Sequence, residues 1–335
     1  MKSFAADACI PQVDLADVLA DWRRRGGRTA AAHLFDVYAF ADYRGGQVDG
    51  PGVVLCVALG EGPVRKVAGV RNRATLDAAW RRLLRDATDA GARVCFGQDH
   101  QYGLPLALAD ELGLPSDDWR RGLAAFFGGA RGEAARAGRA GACARLVNDD
   151  LDARGRAPYF WSATKPAYGL PGTSPRGSDP ALYRLTERGC ACALSRVGDN
   201  GSVGGQTLVG LPRVLVLLEW ASRDAVPVAV WPFDGLRLEA YALRQHVALE
   251  AYPTLVRPAG VKQSDLADAL AVVCWLQQRD RAGALAAELD LGALSPADRR
   301  RVAFEGWIAG VRPGGGGGPP PMPGRGRPAA TTAAR

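Results

Sequence analysis

Three short runs rich in β-forming residues stand close together early in the chain and constrain its fold more than any other feature. They are Leu34–Tyr43, Val53–Leu59 and Val64–Val70, separated only by Gly, Asp and Pro turns. Gaps this short leave no room for a crossover, so the runs pair as neighbouring antiparallel strands in a meander. Leu76, Ala79, Trp80, Leu83, Leu84 and Ala87 then recur at helical spacing, and Gly91 stands where that helix should end. An apolar strand over 93–97 and a helix after Pro105 extend the order to β-β-β-α-β-α. A meander followed by an αβ crossover gives a mixed sheet whose fourth strand lies beside the first. The expected class is α/β, with helices flanking the sheet.

Around this nucleus the chain divides into a helical lead-in (1–30), one α/β domain (31–312) and a tail (313–335). Within the domain, 128–200 reads as a partly irregular insertion. Its first part is Ala/Arg/Gly-rich, and 159–180 is rich in Pro, Gly and aromatic residues without periodicity. A helix over 206–222, strands over 227–233 and 246–252, a helix over 264–278 and a final helical pair to about 308 complete the domain. The tail, PGGGGGPPPMPGRGRPAATTAAR, has too little apolar surface to bury and is expected to be disordered.

No apolar run approaches the roughly 20 residues of a membrane helix, and the first residues lack the apolar core of a signal peptide. The seven cysteines are scattered, and the Cys190/Cys192 pair has neither a second pair nor a nearby histidine, which argues against zinc. Free thiols of this kind suit a reducing cytoplasm. The net charge of +7 is mild support for a nucleic-acid partner, because nearly all of it is Arg in an Ala/Gly-rich chain.

The chemistry-bearing signal is acidic. Asp42 closes the first strand, Asp99 directly follows the apolar 94–97 run, and Glu250 stands within the last strand. Asp265 and Asp268 share one face at the start of the next helix. Carboxylates in core strands are costly unless paired or metal-bound, and α/β sheets gather strand-end residues into one crevice. Converging carboxylates repel one another, and Mg²⁺ or Mn²⁺, which prefer oxygen ligands, relieves that repulsion. The competing account makes the Asp residues turn formers and Asp265 a helix cap.

The segments AFADYRGG, FGQDHQYGLP, VALEAYP and SDLADALAVVCWL resemble motifs of a bacterial ribonuclease-H-like group, the domain-of-unknown-function family 429 and its relatives. NGSVGGQTLVGLP and VAVWPFD are similar to further stretches of these proteins, so the resemblance spans about 34–280. It implies a ribonuclease-H-like mixed sheet and a metal-dependent nuclease-like site carried by Asp42, Asp99, Glu250 and Asp268. Arg44 departs from the pattern, standing where the group has a small hydroxyl residue.

The expected function is therefore a Mg²⁺- or Mn²⁺-dependent nuclease or phosphodiesterase acting on DNA or RNA. Asp42, Asp99, Glu250 and Asp268 are its expected ligands and catalytic groups. Arg44, His100 and the loop residues Ser202, Gly205 and Gln206 are expected to contact substrate, His100 also as a proton shuttle. Plain structural roles compete for His100 and for the Gly-rich loop. Tyr159, Phe160, Trp161, Lys165 and Tyr168 fit either a single-strand-binding surface or anchors of the insertion. Two alternatives stand beside the nuclease: a non-catalytic ribonuclease-H-like binding module, and an actin-like small-molecule phosphotransferase. The last is disfavoured because no second copy of the core is visible.

Overall fold

The computed structural model describes residues 10–24, 33–43, 52–188, 193–199, 201–242 and 244–313. Arg44, Cys190, Cys192 and the tail from 314 onward lie outside the described residues. The chain begins with β1 (Gln12–Val13) and α1 (Leu15–Arg24), followed by the meander β2 (Val37–Tyr43), β3 (Val53–Leu59) and β4 (Arg65–Val67). Then come α2 (Arg73–Asp89), β5 (Val94–Gln98), α3 (Leu106–Glu111), α4 (Trp119–Phe126), α5 (Gly129–Arg136) and α6 (Ala140–Ala153). After an irregular stretch follow α7 (Gly204–Arg223), β6 (Val228–Val230), α8 (Glu239–Ala242), β7 (His246–Ala251), α9 (Pro253–Val256) and α10 (Asp265–Arg281). The described chain closes with α11 (Leu285–Glu288), α12 (Pro296–Glu305) and β8 (Ile308–Ala309).

The strands form one mixed sheet in the order β1-β4-β3-β2-β5-β7-β6, with β8 also on β7. β2 pairs antiparallel with β3 and parallel with β5, so the fourth strand does lie beside the first. The parallel run continues from β5 through β7 to β6 and β8. Two short strands carry no sequence signal. β1 pairs with β4 and β8 with β7, and each is two residues long, too short for any periodicity to mark. The lead-in is built into the domain, because Leu15, Val18, Leu19 and Trp22 of α1 are buried in its core. Within the insertion, α5 and α6 pack against α7.

Every residue of β2 is buried, so the strand is covered on both faces and shows no polar/apolar alternation. Val37, Ala39, Ala41 and Tyr43 enter the core shared with α1, α2 and α4–α7. Tyr38 and Phe40 enter a second core with α10 and α11. Period-two alternation therefore sends the next even-numbered side chain, Asp42, to the α10 face. No helix among the described residues is long and apolar enough to cross a membrane.

Asp280 locks α10 to the start of β2. Its carboxylate accepts the Leu34 and Phe35 amides, both at 2.9 Å, and the Tyr38 hydroxyl at 2.6 Å. It is 1% exposed, so Asp280→Ala strands the Phe35 amide and the part-buried Leu34 amide, while the Tyr38 hydroxyl keeps its bond to the Phe35 carbonyl at 3.0 Å. At a few kcal/mol for such a loss, the variant is expected to be about 3 kcal/mol less stable in urea unfolding. A change under about 1 kcal/mol would mean that water replaces the carboxylate.

Candidate functional site

The ends of β2 and β5 set the geometry. Ala41 is in register with Gln98, and the Asp99 amide donates to the Ala41 carbonyl at 3.0 Å. Asp42 and Asp99 thus leave adjacent parallel strands one step beyond a paired row, on the same face, and their carboxyl groups share a hydrogen bond. The Asp42 Oδ1 also accepts the Tyr43 amide at 2.6 Å. Burial pushes the Asp99 carboxyl up to about 7, the shared hydrogen bond lowers it, and the charges of Asp268, Glu250 and Asp265 raise it. Asp42 is pushed well above the carboxylate range by burial first, then by Asp99, Asp268 and Asp265. Two carboxyls this close do not both ionise, so the pair retains a proton near neutrality.

Helix α10 brings the other two acids. Its N-cap is Ser264, whose hydroxyl accepts the Ala267 amide at 3.1 Å. The capping role considered for Asp265 therefore belongs to its neighbour, and the charges of both acids of the first turn act on the Asp42–Asp99 pair. The Asp268 carboxyl is raised by burial and lowered by the adjacent Arg257 guanidinium, whose Nη1 contacts Oδ1. Among the described residues, no group of three or more His, Cys, Asp or Glu side chains is arranged to hold a metal ion. The arrangement offers two carboxyls in contact, with a third engaged by an arginine.

Glu250 does not join them. It pairs in register with Gln98 and so with the Ala41 row, which faces away from Asp42. Arg184 grips it through Nη1–Oε2 at 2.7 Å and Nη2–Oε1 at 2.5 Å, and the Tyr102 amide donates to Oε2 at 2.9 Å. Arg184, itself fully buried, also donates through Nε to Glu187 Oε1 at 2.8 Å and through Nη1 to the Glu305 carbonyl at 3.0 Å. Glu250 is thus the counter-ion of a buried arginine, which corrects its expected role as a metal ligand. No motif connects Arg184 with Glu250, 66 residues away, so the sequence carried no signal for this pair.

The expected substrate contacts change as well. His100 is 1% exposed, its Nδ1 lies 2.7 Å from the Gln101 carbonyl, and burial lowers its pKa to about 3. A Cβ at Gly210 of α7 would come within 2.5 Å of the His100 ring, so this helix face and the imidazole are fitted to each other. A neutral, enclosed imidazole on the face opposite Asp42 does not shuttle protons to it. Ser202 donates its hydroxyl to the Asp199 carbonyl at 2.7 Å. Gln206 donates to the Tyr43 carbonyl at 2.6 Å and so fastens α7 to the end of β2. A Cβ at Gly204 would meet the Leu194 carbonyl oxygen at 2.2 Å, whereas one at Gly205 would meet nothing closer than 3.7 Å. The Ser202 hydroxyl and one Gln206 side-chain N–H are thus engaged within the chain, and Gly204 serves close packing.

Tyr159 and Phe160 of the insertion serve as anchors. Tyr159 and Phe160 are fully buried, the Asn148 side chain bonds the backbone of both, and the Tyr159 hydroxyl donates to the Leu182 carbonyl at 2.9 Å. Comparison with family models, with curated proteins and with solved structures finds no match to this chain.

Proposed function

We propose that this chain is a ribonuclease-H-like hydrolase of phosphodiester bonds in DNA or RNA, dependent on Mg²⁺ or Mn²⁺ held by the Asp42–Asp99 pair. The observation that carries the proposal is the meeting of Asp42 and Asp99 on adjacent parallel strand ends, beneath the acidic first turn of α10. Carboxyls brought together with raised pKa values at strand ends are the pattern of a functional site. Strand order supports the fold assignment, with an antiparallel meander whose first strand is followed by parallel neighbours.

The donors are all carboxylate oxygens, the kind that hard divalent cations select. A cation held by Asp42 and Asp99 would supply Lewis acidity for phosphodiester hydrolysis. Asp42 and Asp99 would give up their shared proton to hold it, and the charge of Asp268 acts on both. Asp265 adds negative potential at the helix start.

Calorimetric titration with Mn²⁺ near pH 7.5 is expected to show binding by the wild type and none by Asp42→Asn. Cleavage of structured and single-stranded DNA and RNA with Mn²⁺ is expected to fall at least about 100-fold in Asp99→Asn. Cleavage equal to wild type in that variant would sink the proposal. A second reading, a non-catalytic binding module, draws on the neutralisation of Asp268 by Arg257, and it forecasts no Mn²⁺-induced rise in melting temperature.

A further inference from the structure

The insertion carries a basic and aromatic surface apart from the carboxyl groups. Trp161 is half-buried, and the Arg196 guanidinium lies over its ring, 5.3 Å from the centroid. Their backbones are bridged too, because the Trp161 amide donates to the Ser195 carbonyl and the Val197 amide to the Trp161 carbonyl, both at 3.0 Å. Asp199 fastens the residues around them. Its carboxylate accepts the Ala163 amide at 3.1 Å, the Thr164 amide at 2.9 Å and hydroxyl at 2.6 Å, and Arg196 Nε at 2.8 Å. Ring and guanidinium are thus held in place in advance of any ligand, which lowers the entropy lost on binding.

Further cations gather beside this pair. A Cβ at Gly141 of α6 would come within 2.4 Å of the Tyr168 ring, so the half-buried tyrosine lies directly on that helix. A Cβ at Gly198 would meet both the Tyr168 ring at 2.6 Å and the Lys165 side chain at 3.0 Å, and one at Gly169 would meet Arg145 at 3.5 Å. Arg145 and Lys165 are exposed, and among the described residues neither forms an ion pair, although Asp149 follows Arg145 one turn along α6. Asp199 is 5% exposed, and its charge is answered by Arg196. This surface adjoins the end of β2. A Cβ at Gly205 would lie 3.7 Å from the Gly198 amide nitrogen, and the next residue, Gln206, bonds the Tyr43 carbonyl.

We propose that Trp161, Arg196, Tyr168, Arg145 and Lys165 form a docking surface for single-stranded nucleic acid. Exposed cations attract any polyanion, duplex included. An indole carrying a guanidinium adds planar faces on which unpaired bases stack, and a duplex, whose bases are stacked on one another, cannot use them. Binding here stands apart from the hydrolase reading. That a strand held here leads on to Asp42 and Asp99 rests on that reading.

Fluorescence anisotropy of a labelled oligonucleotide of about 16 nucleotides, with the full chain and in chelator, tests the surface without any divalent cation. Wild type is expected to bind the single strand at least about tenfold more tightly than the same sequence as duplex. Trp161→Ala should weaken single-strand binding about tenfold, whereas Trp161→Phe, which keeps an aromatic face, should retain most of it. Arg145→Glu and Lys165→Glu should each weaken it and lower the slope of log affinity against log salt by about 0.7. Arg300→Glu, an equal charge change at an exposed residue of α12, should leave both nearly unchanged. If Trp161→Ala fails to fold, the two charge variants decide. No binding by wild type, a duplex bound as tightly as the single strand, or an equal loss in Arg300→Glu overturns the proposal. Single-strand binding without Mn²⁺-dependent cleavage supports the surface and counts against the hydrolase reading alone.

Discussion

Arg184→Met is expected to cost the protein about 3–5 kcal/mol of stability, as breaking a buried ion pair by removing one partner does. The arginine is fully buried between Glu187, 0% exposed, and Glu250, 4% exposed, so its loss leaves two uncompensated carboxylates where water does not reach. The damage is electrostatic more than steric, because methionine fills part of the volume. Two consequences separate this account from simple loss of packing. Adding Glu187→Gln and Glu250→Gln to the variant should recover most of the loss. The deficit should also shrink as pH falls, since the Glu187 carboxyl, pushed up to about 7 by burial even against the opposing effect of Arg184, protonates readily once the cation is gone. Urea unfolding at pH 7.5 and pH 5.5 reads both effects, and a loss below about 1 kcal/mol at pH 7.5 would show that the network is dispensable. Glu250→Gln in the wild-type background should leave Mn²⁺ affinity close to normal, in contrast to Asp42→Asn.

Asp99→Asn is expected to make the metal-free protein more stable above pH 7, by roughly 2–4 kcal/mol on the scale of about 1.36 kcal/mol per pKa unit. In the unfolded chain Asp99 loses its proton near its ordinary value of 3.8, whereas in the folded protein it keeps it up to about 7. Between those two values the folded state holds a proton that the unfolded state has released, so wild-type stability falls as pH rises through that window and levels off above it. Asparagine removes this penalty and relieves Asp42 of its nearest like charge. A smaller slope persists, because burial alone still raises Asp42. Chemical denaturation at pH 4.5, 6 and 8, in chelator, should show the wild-type and variant curves diverging with rising pH. Saturating Mn²⁺ should reverse their order at pH 8, because only the wild type retains both carboxylates of the pair. Parallel curves in chelator would mean that the two aspartates are solvated separately.

The two predictions concern opposite faces of one sheet, and that division explains how the expected four-acid cluster separated. Asp42 and Asp99 were legible from sequence because each follows an apolar run whose end is marked, by Gly45 and Gly46 in one case and by the break in hydrophobicity in the other. Asp265 and Asp268 were legible as a pair because helical spacing puts residues three apart on one face. Glu250 was misplaced for a specific reason. All six residues of β7 are buried, so neither face carries the polar residues that would mark it as the outer one.

What the sequence determined by itself is the local order: the meander, the α2 crossover, the strand-end acids and the acidic start of α10, each set by turn chemistry and periodicity within about twenty residues. The tertiary structure alone decided which face each acid occupies and which arginine answers it. Arg184 reaches Glu250 across 66 residues of chain, and His100 closes against α7 at Gly210. The physical reason is that a side chain's face follows from strand register, and register is settled by which neighbouring strands and helices pack together. Charge pairing then depends on distances that only this packing creates.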